Sequence, residues 1–252
     1  MTELELHRWL VFGELVAAAA TLISLLLIVA PYGRHSRGGW GPEVSPRVGW
    51  ILMEAPAVLG FGAVWAFGTY AHELVPRVLL AIWMTHYVHR AFVFPFRMRS
   101  EGKRMPLLIA SLGAAFNLLN GYINARAVSH FWSHDATWLS SAPFLLGLCI
   151  FAFGLVLNLH SDSVLLGLRA PGETGYRIPF GGGFRFVSCP NYLGEMLEWL
   201  GWALASGTLA GWAFFLYTAA NLFPRALAHH RWYREKFPDY PPERRAVLPF
   251  VW

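Results

Sequence analysis

Cysteine is nearly absent from this chain. The two present in 252 residues, Cys149 and Cys189, make no disulfide framework, and isolated cysteines of this kind are read as structural. Charge is scarce as well: Asp, Glu, Lys and Arg supply 14% of the residues, against about a quarter in an ordinary soluble domain. No Gly-x-Gly-x-x-Gly follows a strand and there is no P-loop. Gly181-Gly182-Gly183 reads as a flexible turn, so any dinucleotide is held without the Rossmann arrangement. His160 with Asp162 is too thin a ligand set for a metal, and no second histidine motif follows, so no metal site is expected. No internal repeat stands out, which argues weakly against an inverted-repeat transporter.

Apolar sequence is abundant instead. Hydrophobic residues make up 56% of the chain, with 12 Trp and 19 Phe, and Trp gathers at bilayer interfaces. A spanning helix needs about 20 mostly apolar residues. Seven segments qualify as spans: 10–31, 48–70, 74–96, 106–128, 143–161, 190–205 and 208–228. The sequence therefore predicts an all-α membrane bundle of about seven transmembrane helices, one domain over 1–252, with a loop cap on one side. The first apolar stretch lacks a charged leader and a small-residue cleavage site, so it reads as a retained helix.

The formal charge of +5 sits between the apolar segments and predicts membrane anchoring, with no nucleic-acid partner. Placing the N-terminus outside puts sixteen of the 20 Lys and Arg on the inner side. They lie at Arg34, Arg37 and Arg47, at Arg97, Arg99, Lys103 and Arg104, at Arg169, Arg177 and Arg185, and from Arg225 to the end. The outer segments 71–73, 129–142 and 206–207 hold none. This asymmetry predicts a cytoplasmic C-terminus. The inner loops 97–104 and 169–188, with the tail from His229, form an Arg-rich cap. Anchoring alone would explain such charges; an arginine-lined cap also suits a polyanionic cofactor from the cytosol.

Ionisable groups inside spans are costly and usually mark function or a partner. Glu54 lies within a turn or two of the cytoplasmic end of the second span. The third span ends His86-Tyr87-Val88-His89-Arg90. Three- and four-residue spacing predicts a shared face for His86, His89 and Arg90, with Tyr87 about a quarter turn away. A Tyr hydroxyl in an apolar pocket can donate to a carbonyl oxygen. Asn158 and Asp162 share a face by i, i+4 spacing, as do Asn191 and Glu195, with Glu198 one turn on. Ser188 fits a helix N-cap with Pro190 in the first turn. Interfacial placement or structural support of the cap is the plainer reading of each.

Together these residues resemble the steroid 5α-reductase family. The likeness lies in Asn158-Leu159-His160-Ser161-Asp162, Leu168-Arg169-Ala170-Pro171-Gly172-Glu173 and Tyr176-Arg177-Ile178-Pro179. It continues in Asn191-Tyr192-Leu193-Gly194-Glu195 with Glu198-Trp199, and in the tail His229-His230-Arg231-Trp232-Tyr233, Lys236-Phe237, Asp239-Tyr240-Pro241, Arg244 and Leu248-Pro249-Phe250. It runs from about Glu54 to the C-terminus, the first span matching only in hydropathy. The resemblance implies a seven-helix membrane fold that binds NADPH from the cytosolic side and reduces the Δ4 double bond of 3-oxo-steroids. It implies that Tyr87 donates to the C3 carbonyl, supported by Glu54, that hydride reaches C5, and that solvent protonates C4. Asn158, Asp162, Arg169, Tyr176, Arg177, Asn191, Arg225, His229 and Tyr233 match positions lining the cofactor pocket, and Arg104 is the phosphate contact expected from the 97–104 loop.

That loop is longer than the family's short turn. Ser188-Cys189-Pro190-Asn191-Tyr192 resembles the related enoyl-thioester and polyprenol reductases more closely, which keeps a polyprenal or enoyl-thioester substrate open. A membrane methyltransferase of the isoprenylcysteine type has a similar tail, but its cofactor lacks phosphates. A non-enzymatic sterol carrier has no need of Tyr87 and Glu54 beneath an Arg-rich cap. A steroid or other lipid entering from the bilayer is the expected substrate, with membrane lipids around the chain and no obligatory protein partner. The membrane is a bacterial inner membrane or the endoplasmic reticulum. Cofactor binding is expected to order the 169–188 segment.

Overall fold

The computed structural model describes residues 1–29, 33–35, 39–100, 102–169, 173 and 175–251. Pro31, where the first predicted span ends, Arg37, and Ala170, Pro171 and Gly172 of the motif lie outside the described residues.

The chain is mostly helical, and local sequence sets most helix ends. Helix α1 (Glu3–Leu27) begins at a capping box, Thr2 accepting from the Glu5 amide while the Glu5 carboxylate accepts from the Thr2 amide. This closes two otherwise open donors. Ser45 caps α2 (Pro46–Ala66), whose first position is proline, as its missing N–H allows. Helix α3 (Leu74–Val88) runs through a π-helical turn, His89–Val93, into the short α4 (Phe94–Arg97). Helix α5 (Leu107–Arg126) likewise ends in a π turn, Ala127–Phe131. Ser141 caps α6 (Ala142–Gly167), and Thr208 caps α8 (Leu209–Lys236).

Helix α7 (Pro190–Ser206) corrects one expectation. Its N-cap is Cys189, with no side-chain cap bond. The Ser188 hydroxyl is engaged elsewhere, 2.6 Å from His230 Nδ1 and 2.7 Å from the Tyr240 hydroxyl. These contacts pin the C-terminal tail under α7, helped by Ser188 N donating to Arg245 O and Cys189 N to Ala246 O. Strands β1 (Glu43–Val44) and β2 (Met105–Pro106) form a two-residue antiparallel pair joining two inner loops. The glycine run is a 3-10 turn, Gly182–Arg185. Gly182 has φ +50° and lies so close to the His160 ring that a Cβ has no room.

Each of the seven predicted segments overlaps a helix. Among the described residues, four stretches are long and apolar enough to cross a membrane: Glu3–Leu27, Pro46–Ala66, Leu107–Phe131 and Ala142–Gly167. The others depart for physical reasons. Helix α3 has 15 residues before its π turn and α7 has 17, while the apolar part of α8 is interrupted by Tyr217, Thr218, Asn221 and Pro224. Helix hydrogen bonding does not stop at a bilayer boundary, so α6 and α8 run past their predicted ends.

Packing relies on close backbone approach. Helices α6 and α7 meet at Gly147, Gly154, Gly194 and Gly201. A Cβ on Gly154 would lie 2.6 Å from Glu198 N, and one on Gly194 2.6 Å from Asn158 N. Small residues of this kind let helices touch where hydrophobic drive is weak. An aromatic core of Phe61, Trp83, Trp199, Trp202 and Phe214 joins α2, α3, α7 and α8, with Phe61 stacked on Trp83 at 4.3 Å. Helix α1 packs along α8 and is tied to α5 near its own N-terminus. Glu3 pairs with Arg126 at 2.7 Å, and His7 Nε2 lies 2.8 Å from Ile123 O. On the same face Glu14 is 1% exposed, and neither carboxyl oxygen has a partner among the described residues.

Candidate active site

One cavity of about 780 Å³ runs into the bundle, walled by α1, α2, α3, α5, α6, α7 and α8. Its volume falls within the range of small-molecule sites, about 300–1,000 Å³. Glu54 and Tyr87 line it together with His86, Arg90 and Glu195, and Arg34, Arg225 and His229 line it as well.

Asn117 Nδ2 holds the Glu54 carboxylate at 3.3 Å while donating to Met53 O at 2.7 Å. Tyr87 is clamped by Trp83 at 4.8 Å and Trp199 at 5.3 Å between ring centres. Among the described residues its hydroxyl makes no hydrogen bond, so its proton is free for a ligand in the cavity. His86 lines the same cavity, although sequence spacing alone put it on a different side from Tyr87. Its Nδ1 sits 2.7 Å from Glu198 Oε2, both groups closed to solvent.

The middle of the cavity is organised by Arg90. It donates to Asp162 at 2.9 Å, lies 3.5 Å from Glu195, and covers the rings of Trp50 and Phe94. Asn191 Nδ2 donates to the other Asp162 oxygen at 3.1 Å, and Asn158 Nδ2 to Asn191 O at 3.0 Å. The i, i+4 pairs on α6 and α7 thus close one network, held in register by Gly154 and Gly194.

At the cationic end, Arg225 donates to the Tyr192 hydroxyl at 3.0 Å. That hydroxyl lies 3.1 Å from His229 Nε2, and His229 Nδ1 lies 3.1 Å from His35 Nε2. Burial first, and then the Arg34 and Arg225 charges, hold both histidines below the ordinary imidazole range, His229 far below it. Arg34 lies over the rings of Tyr233 at 4.5 Å, Trp232 at 4.9 Å and Tyr176 at 5.6 Å. Its Nη1 is buried without a hydrogen-bond partner among the described residues. Two guanidiniums beside neutral imidazoles, with one buried donor unused, fit a ligand carrying phosphates.

Of the residues expected from sequence, Tyr87, Glu54, Asp162, Tyr176, Asn191, Arg225 and His229 line the cavity. Asn158 stands behind Asn191, and Tyr233 behind Arg34. Arg169 donates to Gly175 O and covers Tyr176. Arg177 is exposed and paired with Glu173 at 2.8 Å. Arg104 is exposed away from the cavity, where the neighbouring Lys103 contributes instead. Burial, then the Arg169 charge, holds the Lys103 amine below its ordinary range. Sequence reasoning gave no site role to Arg34, His35, Asn117 or Tyr192. Asn117 had a signal: with Asn120 and Asn124 it forms an i, i+3, i+7 row of amides along an apolar helix.

A sequence profile of the 3-oxo-5-alpha-steroid 4-dehydrogenases matches residues 103–252. The chain belongs to this family. It is 44% identical to steroid 5-alpha-reductase DET2 of Arabidopsis thaliana, over 97% of this chain and 96% of that protein. It is 42% identical to 3-oxo-5-alpha-steroid 4-dehydrogenase 1 of Bos taurus, over 96% and 95%, and 40% identical to that of Homo sapiens, over 87% and 85%. The likeness to the first two covers nearly the whole chain, including the first apolar segment, for which motifs gave nothing. The chain is an oxidoreductase acting on CH–CH groups, of the steroid 5α-reductase type.

Proposed function

We propose that the protein reduces the Δ4 double bond of 3-oxo-Δ4 steroids with NADPH, giving 5α-dihydro products. The observation that carries this reading is the Tyr87 hydroxyl, which makes no hydrogen bond among the described residues, in one cavity with Glu54 and the Arg34 and Arg225 guanidiniums.

The Tyr87 hydroxyl donates to the C3 carbonyl oxygen and withdraws electron density from the enone. Charge grows on that oxygen as C5 is attacked, so a fixed donor there stabilises the transition state more than the ground state. Glu54, oriented by Asn117, supports the contact. Trp83 and Trp199 hold the Tyr87 ring, and the surrounding aromatic wall excludes water, which strengthens the hydrogen bond. Arg225 and Arg34 pair phosphates, with Asn191, Asp162, His229 and Tyr176 along the wall. NADPH bound there supplies the hydride delivered to C5. Solvent supplies the C4 proton.

In the same reading the chain is one reductase unit that spans the membrane seven times with its C-terminus in the cytosol. The substrate enters from the bilayer beside the C-terminal half of α1. No protein partner or nucleic acid is required. The test uses the detergent-purified full chain with NADPH and progesterone, following nicotinamide absorbance and identifying products by mass spectrometry. A 5α-dihydro product is expected. Tight NADPH binding with no steroid product would move the substrate to enoyl thioesters or polyprenals.

A further inference from the structure

Thr21 and Ser24 on α1, and Thr218 and Asn221 on α8, all line the cavity. None makes a side-chain hydrogen bond among the described residues. This is unusual for Thr and Ser within helices, whose hydroxyls commonly bond the carbonyl one turn back. Thr85, Ser129, Ser161 and Ser163 all do so here. Thr218 is buried, Thr21 and Asn221 are half-buried and Ser24 is exposed, so the unused capacity on this wall lies chiefly with Thr218, Asn221 and Thr21.

The position of that wall matters. Phe214 on α8 touches Trp199 at 4.4 Å, and Trp199 touches Tyr87. Thr218 and Asn221 follow Phe214 by four and seven residues, so they stay on the same helix face and climb it by about 10 Å. Helix α1 runs alongside, bringing Thr21 and Ser24 to the same wall. The catalytic pair comes from α2 and α3. Arg225 follows Asn221 by four residues, so Thr218 and Asn221 stand between Trp199 and the cationic end, and a rigid ligand with its carbonyl on Tyr87 that lies along α8 would bring its far end to them.

We propose that Thr21, Ser24, Thr218 and Asn221 form a subsite for a hydrogen-bonding oxygen, hydroxyl or carbonyl, on the end of the substrate remote from the enone. The inference rests on the steroid-reductase reading above and adds a specificity to it. A hydrocarbon end leaves these groups unpaired when water is displaced, whereas an oxygenated end satisfies at least one. The hydroxyls donate or accept and the Asn221 amide does both, so the subsite accepts either oxygen type.

The test compares two substrates with the same enone: androst-4-en-3-one bearing a 17β-hydroxyl, and the same compound lacking it. Each is assayed with NADPH on the wild-type full chain and on Thr218→Val, Asn221→Leu and the double variant. The wild type is expected to favour the hydroxylated substrate in kcat/KM on the order of tenfold, one or two net hydrogen bonds. The double variant is expected to lose that preference while retaining turnover of the deoxy compound. Thr218→Val is nearly isosteric and covers the case in which Asn221→Leu fails to fold, judged by thermal unfolding with NADPH present. Equal kcat/KM for the two substrates in the wild type overturns the subsite and leaves the reductase standing. So does a preference unchanged in Thr218→Val and in every folded Asn221 variant, or an Asn221→Leu effect seen only in NADPH affinity. Reduction of neither compound sinks the steroid-reductase reading, and the subsite with it.

Discussion

His86 Nδ1 lies 2.7 Å from Glu198 Oε2, with the histidine side chain 4% exposed and the carboxylate fully closed. The pair joins α3 to α7 directly behind Tyr87 and Trp199. Breaking a buried pair from one side strands the other group, at a cost of about 3–5 kcal/mol. Glu198→Ala is therefore expected to lower thermal stability in detergent steeply. The double variant His86→Leu, Glu198→Leu should recover most of the loss. A double variant as unstable as Glu198→Ala would show that the ion pair is not the source.

Tyr87→Phe removes a hydroxyl and leaves the ring between Trp83 and Trp199. Folding and NADPH affinity should be kept. Loss of an oxyanion donor costs about 10²–10³ in turnover, and that range is expected for kcat with a 3-oxo-Δ4 steroid. Glu54→Gln, which keeps an acceptor near Asn117, should lose less. Stopped-flow single turnovers would separate chemistry from product release.

Arg225 faces the cationic end and donates to Tyr192. A charge-assisted bond to a phosphate contributes about 1.5–3 kcal/mol. Arg225→Ala should therefore weaken NADPH binding by roughly 10- to 100-fold, since about 1.4 kcal/mol is a factor of ten. Titration of protein fluorescence with NADPH reads this directly, and the steroid KM at saturating NADPH should stay put.

His35 and His229 are held below the ordinary histidine range by burial and by Arg34 and Arg225. Their unfolded forms thus bind protons more readily than their folded forms. Such groups stabilise the fold fully above the unfolded value of about 6.5, and that contribution fades as pH falls toward the folded values. Unfolding temperature should decline on acidification below about pH 6.5. His229→Asn should flatten the decline, and an unchanged slope would place its origin elsewhere.

Glu14 presents a carboxyl with no partner among the described residues to the α8 side of α1. An unsatisfied buried polar group costs about 1–3 kcal/mol. Glu14→Leu is expected to raise the unfolding temperature, and a fall would mean that the carboxyl has a partner in the membrane-embedded protein.

Much of this architecture was legible in sequence because membrane helices advertise themselves. Their length and apolar runs are local properties, and so is the i, i+4 spacing that puts Asn158 and Asp162 on one face. What stayed hidden depends on contacts between distant segments. Arg34 joins the cationic end only because α1 lies along α8, and no local pattern distinguishes it from an anchoring arginine. Ser188 carries every sign of an N-cap, yet Tyr240 and His230 claim its hydroxyl. Lys103 and Arg104 are neighbours and both exposed, and only the fold decides that Lys103 is the one lining the cavity. Tyr87 and His86 share a cavity because that cavity wraps around the helix end.

The seam between α6 and α7 has a bearing on how this sequence tolerates change. At Gly147, Gly154, Gly194 and Gly201 the neighbour of a missing Cβ is backbone, which cannot rotate aside as a side chain can. A single methyl group there would pry the helices apart and pull Asn158 and Asp162 away from Asn191. The exposed apolar side of α1, with Trp9, Phe12, Val16 and Ile23, demands little beyond oiliness. Random mutagenesis would thus leave two very different records. The α1 face would drift freely among apolar residues, while four positions with no side chain would come back unchanged.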